Sequence, residues 1–465
     1  MTELLQQVRV IDPVSRTDQI ADVLIADGEI RAIAKHISDI SPDTQIRDCR
    51  GLVLGPGLVD LYSHSGEPGY EERETLLSFL QAAAAGGFTR VSILPDTSPS
   101  IDNLALVAQL QNKGGEMRRM REMGEKEKIN LSPPASPAPR QLLQRGEPAQ
   151  RTASPAPPLP QLQVWGAITL DVAGKQMTEF ADLANAGVVG FSDGLPWDNL
   201  ALVRRVLEYL QPLDKPVAFW PSDRLLTANG VIREGSEAIR LGLPPIPASA
   251  ETTAIAALLE LVAGTTTPVH IMRVSTARSV ELIASAKAAG LPITASTTWM
   301  HLLLDTKAVR SYHTSLHLDP PLGNPSDVAE LRAGVRAGIV DAIAIDHAPY
   351  TYEEKVQAFA EAPPGAIGLE LALPLLWQYL VETGEFTALE LWGALSTRPA
   401  ECLGQKVSAI ATQVNASNAP DQRAELTLFD PQQTWKVERK NLYTLASNTP
   451  WLGQQLKGRV VQTWC

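Results

Sequence analysis

The chain has 465 residues, 44% of them hydrophobic, enough to bury one large core or several smaller ones. Aspartate and glutamate outnumber lysine and arginine by 52 to 40, and no long basic block offsets the net charge of −12. Nucleic-acid binding as a main activity is therefore not expected, because phosphate contacts need clustered cations.

Three widely spaced cysteines, Cys49, Cys402 and Cys465, make neither a disulfide framework nor a metal knuckle. They suit a reducing, cytoplasmic setting. Met1 to Leu5 has no basic start and no long apolar stretch, so neither a secretion signal nor a membrane span is expected.

Residues 1–55 read as short strands and turns. Ala21 to Ile25 and Ile30 to Ala34 are apolar runs separated by an Asp27-Gly28 pair, which predicts a hairpin. From residue 56 the pattern changes to strand-like runs alternating with longer helix-like stretches. The predicted strands are Leu58 to Leu61, Arg90 to Leu94, Leu162 to Ala167, Gly187 to Phe191, Pro216 to Trp220, Pro268 to Met272, Pro292 to Ala295 and Asp341 to Ile345. Eight such units over residues 56–400 predict an α/β fold, a (β/α)8 TIM barrel, with functional residues just after each strand.

Residues 112–160 interrupt the rhythm. A charged stretch around Arg118 to Glu122 runs into proline-dense sequence at Ser132 to Pro137 and Ser154 to Pro158. Such density suppresses helix and central strand. The segment is expected to be a largely disordered insertion, either a neutral surface loop or a docking arm. Ala424 to Phe429 again reads as a strand. Residues 1–55 and 401–465 are expected to build one small β domain from both chain ends.

The first barrel strand ends in Asp60-Leu61-Tyr62-Ser63-His64-Ser65. By the two-residue repeat of a strand, the side chains of Tyr62 and His64 point the same way. A series of further motifs follows in order: Glu67-Pro68-Gly69-Tyr70-Glu71, Leu94-Pro95-Asp96-Thr97, Gly166-Ala167-Ile168-Thr169, Phe191-Ser192-Asp193-Gly194, Pro247-Ala248-Ser249-Ala250-Glu251 and Asp346-His347-Ala348-Pro349. Asn448-Thr449-Pro450-Trp451-Leu452-Gly453 and Leu456 to Val461 close the chain. In this order and spacing the chain resembles dihydroorotase of the amidohydrolase superfamily, almost end to end except for the proline-rich insert.

The resemblance implies an amidohydrolase-type barrel that carries one or two zinc ions. It also implies interconversion of L-dihydroorotate and N-carbamoyl-L-aspartate by metal-activated water, with an eighth-strand aspartate, here Asp346, moving the proton. Zinc would lower the pKa of that water and polarise the carbonyl.

At the family's metal-histidine positions this chain has Tyr62, Trp220 and Arg273. A phenol is a poor zinc ligand at neutral pH, an indole offers no lone pair, and a guanidinium stays charged and repels a cation. The residual ligand candidates are His64, Asp193 and Asp346. His270 stands three residues before Arg273 and is expected on the opposite face of its strand. The substrate-binding positions of the family carry Gly66, Asp96, Asp319, Gly323 and Tyr350. Loss of arginine removes a bidentate cation, and each Asn-to-Asp change adds repulsion against a dianionic substrate. Arg273, as a buried cation, needs a carboxylate partner, and Asp346 or Asp193 can supply it.

Two classes of function follow from the resemblance. The first is a noncatalytic dihydroorotase-like protein without a cofactor, which holds or regulates aspartate carbamoyltransferase, and which can itself form a homo-oligomer. The second is an active zinc-dependent dihydroorotase, or a related cyclic amidohydrolase, with an atypical metal site. A pyrimidine-intermediate sensor is a third reading. None of them calls for a nucleic acid or a membrane.

Overall fold

A computed structural model describes residues 2–26, 28–38, 40–126, 158–406, 409–410 and 424–465. The N-terminal strands are β1 (Thr2–Asp12), β2 (Thr17–Ala26), β3 (Glu29–Ala34), β4 (Gln45–Asp48) and β5 (Val53–Pro56). β2 and β3 pair antiparallel up to Ala26 opposite Glu29, and Gly28 takes the left-handed φ of 78° that this tight reversal needs. Asp27 lies outside the described residues.

The barrel strands are β6 (Leu58–Ser63), β7 (Phe88–Ile93), β8 (Gln161–Gly166), β9 (Gly190–Phe191) and β10 (Val217–Phe219). A short parallel pair, β11 (Ile232–Arg233) and β12 (Pro245–Ile246), forms a separate excursion. The barrel continues with β13 (Val269–Ile271), β14 (Ile293–Thr298) and β15 (Ala342–Ala344), and the chain ends with β16 (Leu426–Lys436) and β17 (Gln455–Trp464).

β6 to β10 and β13 to β15 form one eight-stranded sheet in sequential order, and its strand pairings among the described residues are parallel. Each of the eight predicted strands overlaps one of them. The two edges meet through backbone hydrogen bonds from Asp346 to the Tyr62 carbonyl at 3.1 Å and from His64 to the His347 carbonyl at 2.8 Å. The Asp60 carboxylate adds a bond from the Ile345 N–H at 2.9 Å.

Alternation along the strands explains the two-layered core. Leu58, Val91, Val217, Phe219, Ile271 and Ile343 pack in the large cluster with helix residues such as Leu80, Leu207 and Leu331. Val59, Leu61, Trp165, Ala218, Ala342 and Ala344 form the cluster inside the barrel. The three alanines leave space for the Trp165 and Tyr62 rings, so large and small side chains together fill the interior.

The second sheet has seven strands, in the order β17-β16-β5-β1-β2-β3, with β4 also on β1. Both chain ends supply it, and its own core includes Leu5, Val8, Val23, Leu54, Leu426 and Leu428.

One boundary differs from the sequence reading. The helix Leu104–Lys126 carries through residues 112–126, where irregular chain was expected. The proline-dense part of the expected insert lies mostly in residues 127–157, outside the described set. Among the described residues no helix is long and apolar enough to cross a membrane.

Candidate functional site

The C-terminal ends of β13 and β15 deliver the two central residues. Arg273 and Asp346 lie just past these strands, and both have left-handed backbones, with φ of 54° and 52°. That conformation costs a non-glycine residue on the order of 1–3 kcal/mol. Here it turns both side chains into the barrel mouth. Arg273 Nε donates to Asp346 Oδ2 at 2.9 Å and Nη2 donates to Oδ1 at 2.6 Å, a bidentate pair. Nη1 donates to the Gly194 carbonyl at 3.2 Å. The guanidinium carbon stands 4.4 Å from the centre of the Trp220 ring, so its face is covered as well as its edge. The arginine side chain is only 4% exposed and the aspartate 16%, so this pair is held largely away from water.

His64 joins the same cluster. Its Nδ1 is 2.6 Å from Asp96 Oδ2, and its Nε2 is 3.5 Å from Asp346 Oδ1 and 3.0 Å from Arg273 Nη2. The charged ring turns one N–H to each carboxylate. The neutral ring donates from Nδ1 to Asp96 and accepts from Arg273 at Nε2. Burial opposes the imidazolium, but the Asp96 and Asp346 carboxylates outweigh it and raise His64 to about 9. Burial likewise opposes ionisation of Asp346, and Arg273 and His64 nevertheless hold it well below the usual carboxylate range. Asp96 is lowered against its own burial by His64 and Arg273. Arg273, resisted by burial, is kept firmly charged by Asp346. Two cations and two carboxylates thus balance one another at the barrel mouth.

A neutral hydrogen-bond chain lies behind this cluster. The Tyr62 hydroxyl accepts from the Arg273 backbone N–H at 3.1 Å and sits 2.9 Å from Ser296 Oγ. Ser296 Oγ is 2.8 Å from His270 Nε2, and His270 Nδ1 is 2.8 Å from Thr294 Oγ1. Burial pushes His270 down to about 3, so the ring is neutral. His270 therefore points into the barrel, as Arg273 does. The expectation of opposite faces fails because the left-handed φ of Arg273 breaks the two-residue alternation that the expectation assumed. Thr294 and Ser296 did not figure in the sequence reading. Their signal is the alternation Thr294, Ser296, Thr298 along β14, which lines its inner face with hydroxyls.

These residues do not fit a zinc site. The Tyr62 phenol is fully buried, and its hydroxyl is already engaged with Ser296 and Arg273. Burial further disfavours the phenolate that would ligate metal. Trp220 covers the guanidinium. Asp193 turns to the loop after β8 and accepts from the backbone N–H groups of Ile168 at 2.8 Å and Thr169 at 2.9 Å, and from Thr169 Oγ1 at 2.7 Å. Of the three residual ligand candidates, His64 and Asp346 meet, and Asp193 is committed elsewhere. Among the described residues, no group of three or more His, Cys, Asp or Glu side chains is placed to hold a metal ion.

The positions to which the resemblance gives substrate binding are reshaped rather than simply trimmed. A Cβ on Gly66 would stand 2.7 Å from the Tyr70 carbonyl oxygen, and one on Gly323 would stand 2.6 Å from Asp327 Cβ. An arginine at either place needs the backbone to move. Tyr350 is flanked by the Arg73 guanidinium at 5.0 Å and the Lys355 ammonium at 5.1 Å. Arg73 itself is taken by Glu354, whose Oε1 accepts from Nε at 2.9 Å and from Nη2 at 2.5 Å. Asp319, raised to about 6 by burial against the pull of Arg273, faces a cavity of about 220 Å³ above the Arg273–Asp346 pair.

Comparison with known proteins agrees with the fold. No family model matches the chain. The chain is 43% identical over 470 residues to the "Probable dihydroorotase-like protein" of Synechocystis sp., covering 99% of each. It is 36% identical to the dihydroorotase of Pelotomaculum thermopropionicum, over 98% of this chain and 96% of the relative. With the dihydroorotase of Syntrophus aciditrophicus it shares 35% identity, over 100% and 97% of the two chains. Among solved structures, the L-hydantoinase of Arthrobacter aurescens superimposes with a TM-score of 0.78 over 99% of this chain and 94% of the other, at 19% identity, a likeness of fold. By end-to-end similarity to these relatives, the chain belongs to the dihydroorotase family.

Proposed function

We propose that this chain is a noncatalytic member of its family and serves as a structural or regulatory partner of aspartate carbamoyltransferase. The observation that carries the first half is the Arg273 guanidinium, paired with Asp346 where a metal-bound water would have to be made. Asp346 is the carboxylate best placed for proton transfer, and in this arrangement it is spent on the arginine. A carboxylate held so far below its ordinary range is a weak base. The partner half rests on the family resemblance, and the relatives' names do not mention it.

The reading is tested on purified full-length protein in two parts. Metal content is measured together with interconversion of L-dihydroorotate and N-carbamoyl-L-aspartate, first for the chain alone. The expected result is zinc far below one per chain and no turnover above background. Stoichiometric zinc with turnover overturns the noncatalytic reading. The chain is then mixed with aspartate carbamoyltransferase from the same organism and run on a sizing column with light scattering. Co-elution at defined stoichiometry is expected, and separate elution overturns the partner reading alone.

A further inference from the structure

The cavity over the Arg273–Asp346 pair is large enough for a ligand: at about 220 Å³ it exceeds the roughly 150 Å³ in which benzene is held inside a protein. Trp220, Trp299, Met300 and Leu318 supply apolar wall. Its polar groups are unevenly supplied. Arg273 directs N–H groups at Asp346 twice and at the Gly194 carbonyl, and its Nη2 stands 3.0 Å from His64 Nε2. His64 spends its ring nitrogens within the cluster. On the acceptor side, Asp96 Oδ1 is buried without a hydrogen-bond partner among the described residues. Asp319 lines the cavity, and no hydrogen bond or ion pair involving its carboxylate is present among the described residues. The Asp96 oxygen is out of water without a donor, and the Asp319 carboxylate, open to the cavity, has no donor from the described residues.

We infer that this cavity binds a small flat or short-chain molecule presenting a cationic N–H group, and rejects carboxylates. An anion entering the cavity meets the Asp319 carboxylate, which has no partner among the described residues, and an arginine already engaged by Asp346. A cationic amidine or amine places its donors on Asp319 and its apolar body against the tryptophan and methionine wall. The inference concerns ligand chemistry only and stands whether or not the chain assembles with another protein.

The test is calorimetric titration of full-length protein with three molecules of nearly one shape: benzamidine, a cation; benzamide, neutral; and benzoate, an anion. N-Carbamoyl-L-aspartate is the fourth probe. Benzamidine is expected to bind at least about tenfold tighter than benzoate, with benzamide between them and no binding of N-carbamoyl-L-aspartate. In Asp319→Asn the preference for benzamidine over benzoate is expected to shrink to less than about threefold. Absence of benzamidine binding at millimolar concentration, or benzoate or N-carbamoyl-L-aspartate binding as tightly as benzamidine, overturns the inference. So does an unchanged preference in folded Asp319→Asn. Should that variant fail to fold, the ranking on the unmodified protein decides.

Discussion

His64 and His270 both point into the upper barrel, and they respond to it in opposite directions. Burial works against the charged form of each. At the mouth, Asp96 and Asp346 overcome burial and lift His64 to about 9. One layer down, His270 meets the hydroxyls of Ser296 and Thr294, and burial, helped by the Lys287 charge, takes it to about 3. The mouth is therefore an ionic lattice and the layer below is a neutral one. Tyr62 joins them, because its hydroxyl accepts from the Arg273 backbone and also meets Ser296. Depth alone does not set protonation in this barrel; the nearby carboxylates do.

The largest effect should come from breaking the ionic lattice. Asp346→Ala leaves the buried Arg273 without its bidentate acceptor, and loss of one partner of a buried pair costs about 3–5 kcal/mol. The urea midpoint should fall accordingly. The double variant Arg273→Met, Asp346→Leu should lose much less than Asp346→Ala alone, because it removes both charges together. If the double variant is as unstable as the sum of the two single ones, the pair is not acting as a unit.

A smaller loss is expected from cutting the link between the layers. Tyr62→Phe keeps the ring but leaves the Arg273 N–H without an acceptor and Ser296 short of one partner, a cost of about 1–3 kcal/mol. A loss under about 0.5 kcal/mol in denaturant unfolding would show that the layers are stabilised independently.

The sequence showed the two regions unequally. The eight barrel strands were legible because each is a short apolar run, and buried parallel strands read that way. The substitutions at Tyr62, Trp220 and Arg273 were legible as chemistry, since none of these side chains suits zinc. That Arg273 would share the face of His270 was not legible. It depends on one left-handed residue, Arg273, at a position where no glycine or asparagine advertises it. The hydroxyls of Thr294 and Ser296 were hidden for another reason: threonine and serine in a strand are ordinary, and only their shared inner face makes them a chain. The helix reaching Lys126 was missed because residues 112–126 are mostly polar and show little apolar stripe. Asp193 sat in a motif that suggested a ligand, but two backbone N–H groups and a hydroxyl of the neighbouring loop claim it.

The finest effect is a pair of opposed pH slopes, one from each histidine. His64 is raised from 6.5 to about 9 on folding, so the folded chain holds its proton more tightly than the unfolded chain. Its contribution is complete below about 6.5 and is lost as pH rises toward 9. His270 is lowered from 6.5 to about 3, so the unfolded chain holds that proton more tightly. Its contribution is complete above about 6.5 and is lost as pH falls toward 3. Burial lowers Lys355 to about 7, which gives an opposing slope over the same range, so His64 is read by difference: the urea midpoint of His64→Gln should gain on that of the unmodified protein between about pH 7 and 9. His270→Asn should soften the acid limb and leave the alkaline limb as it was. Asp346, lowered on folding, adds its own loss only at more acid pH, so its protonation does not imitate the alkaline change. A midpoint difference between His64→Gln and the unmodified protein that stays flat from about pH 7 to 9 would place the charge elsewhere and dissolve the distinction between the two layers.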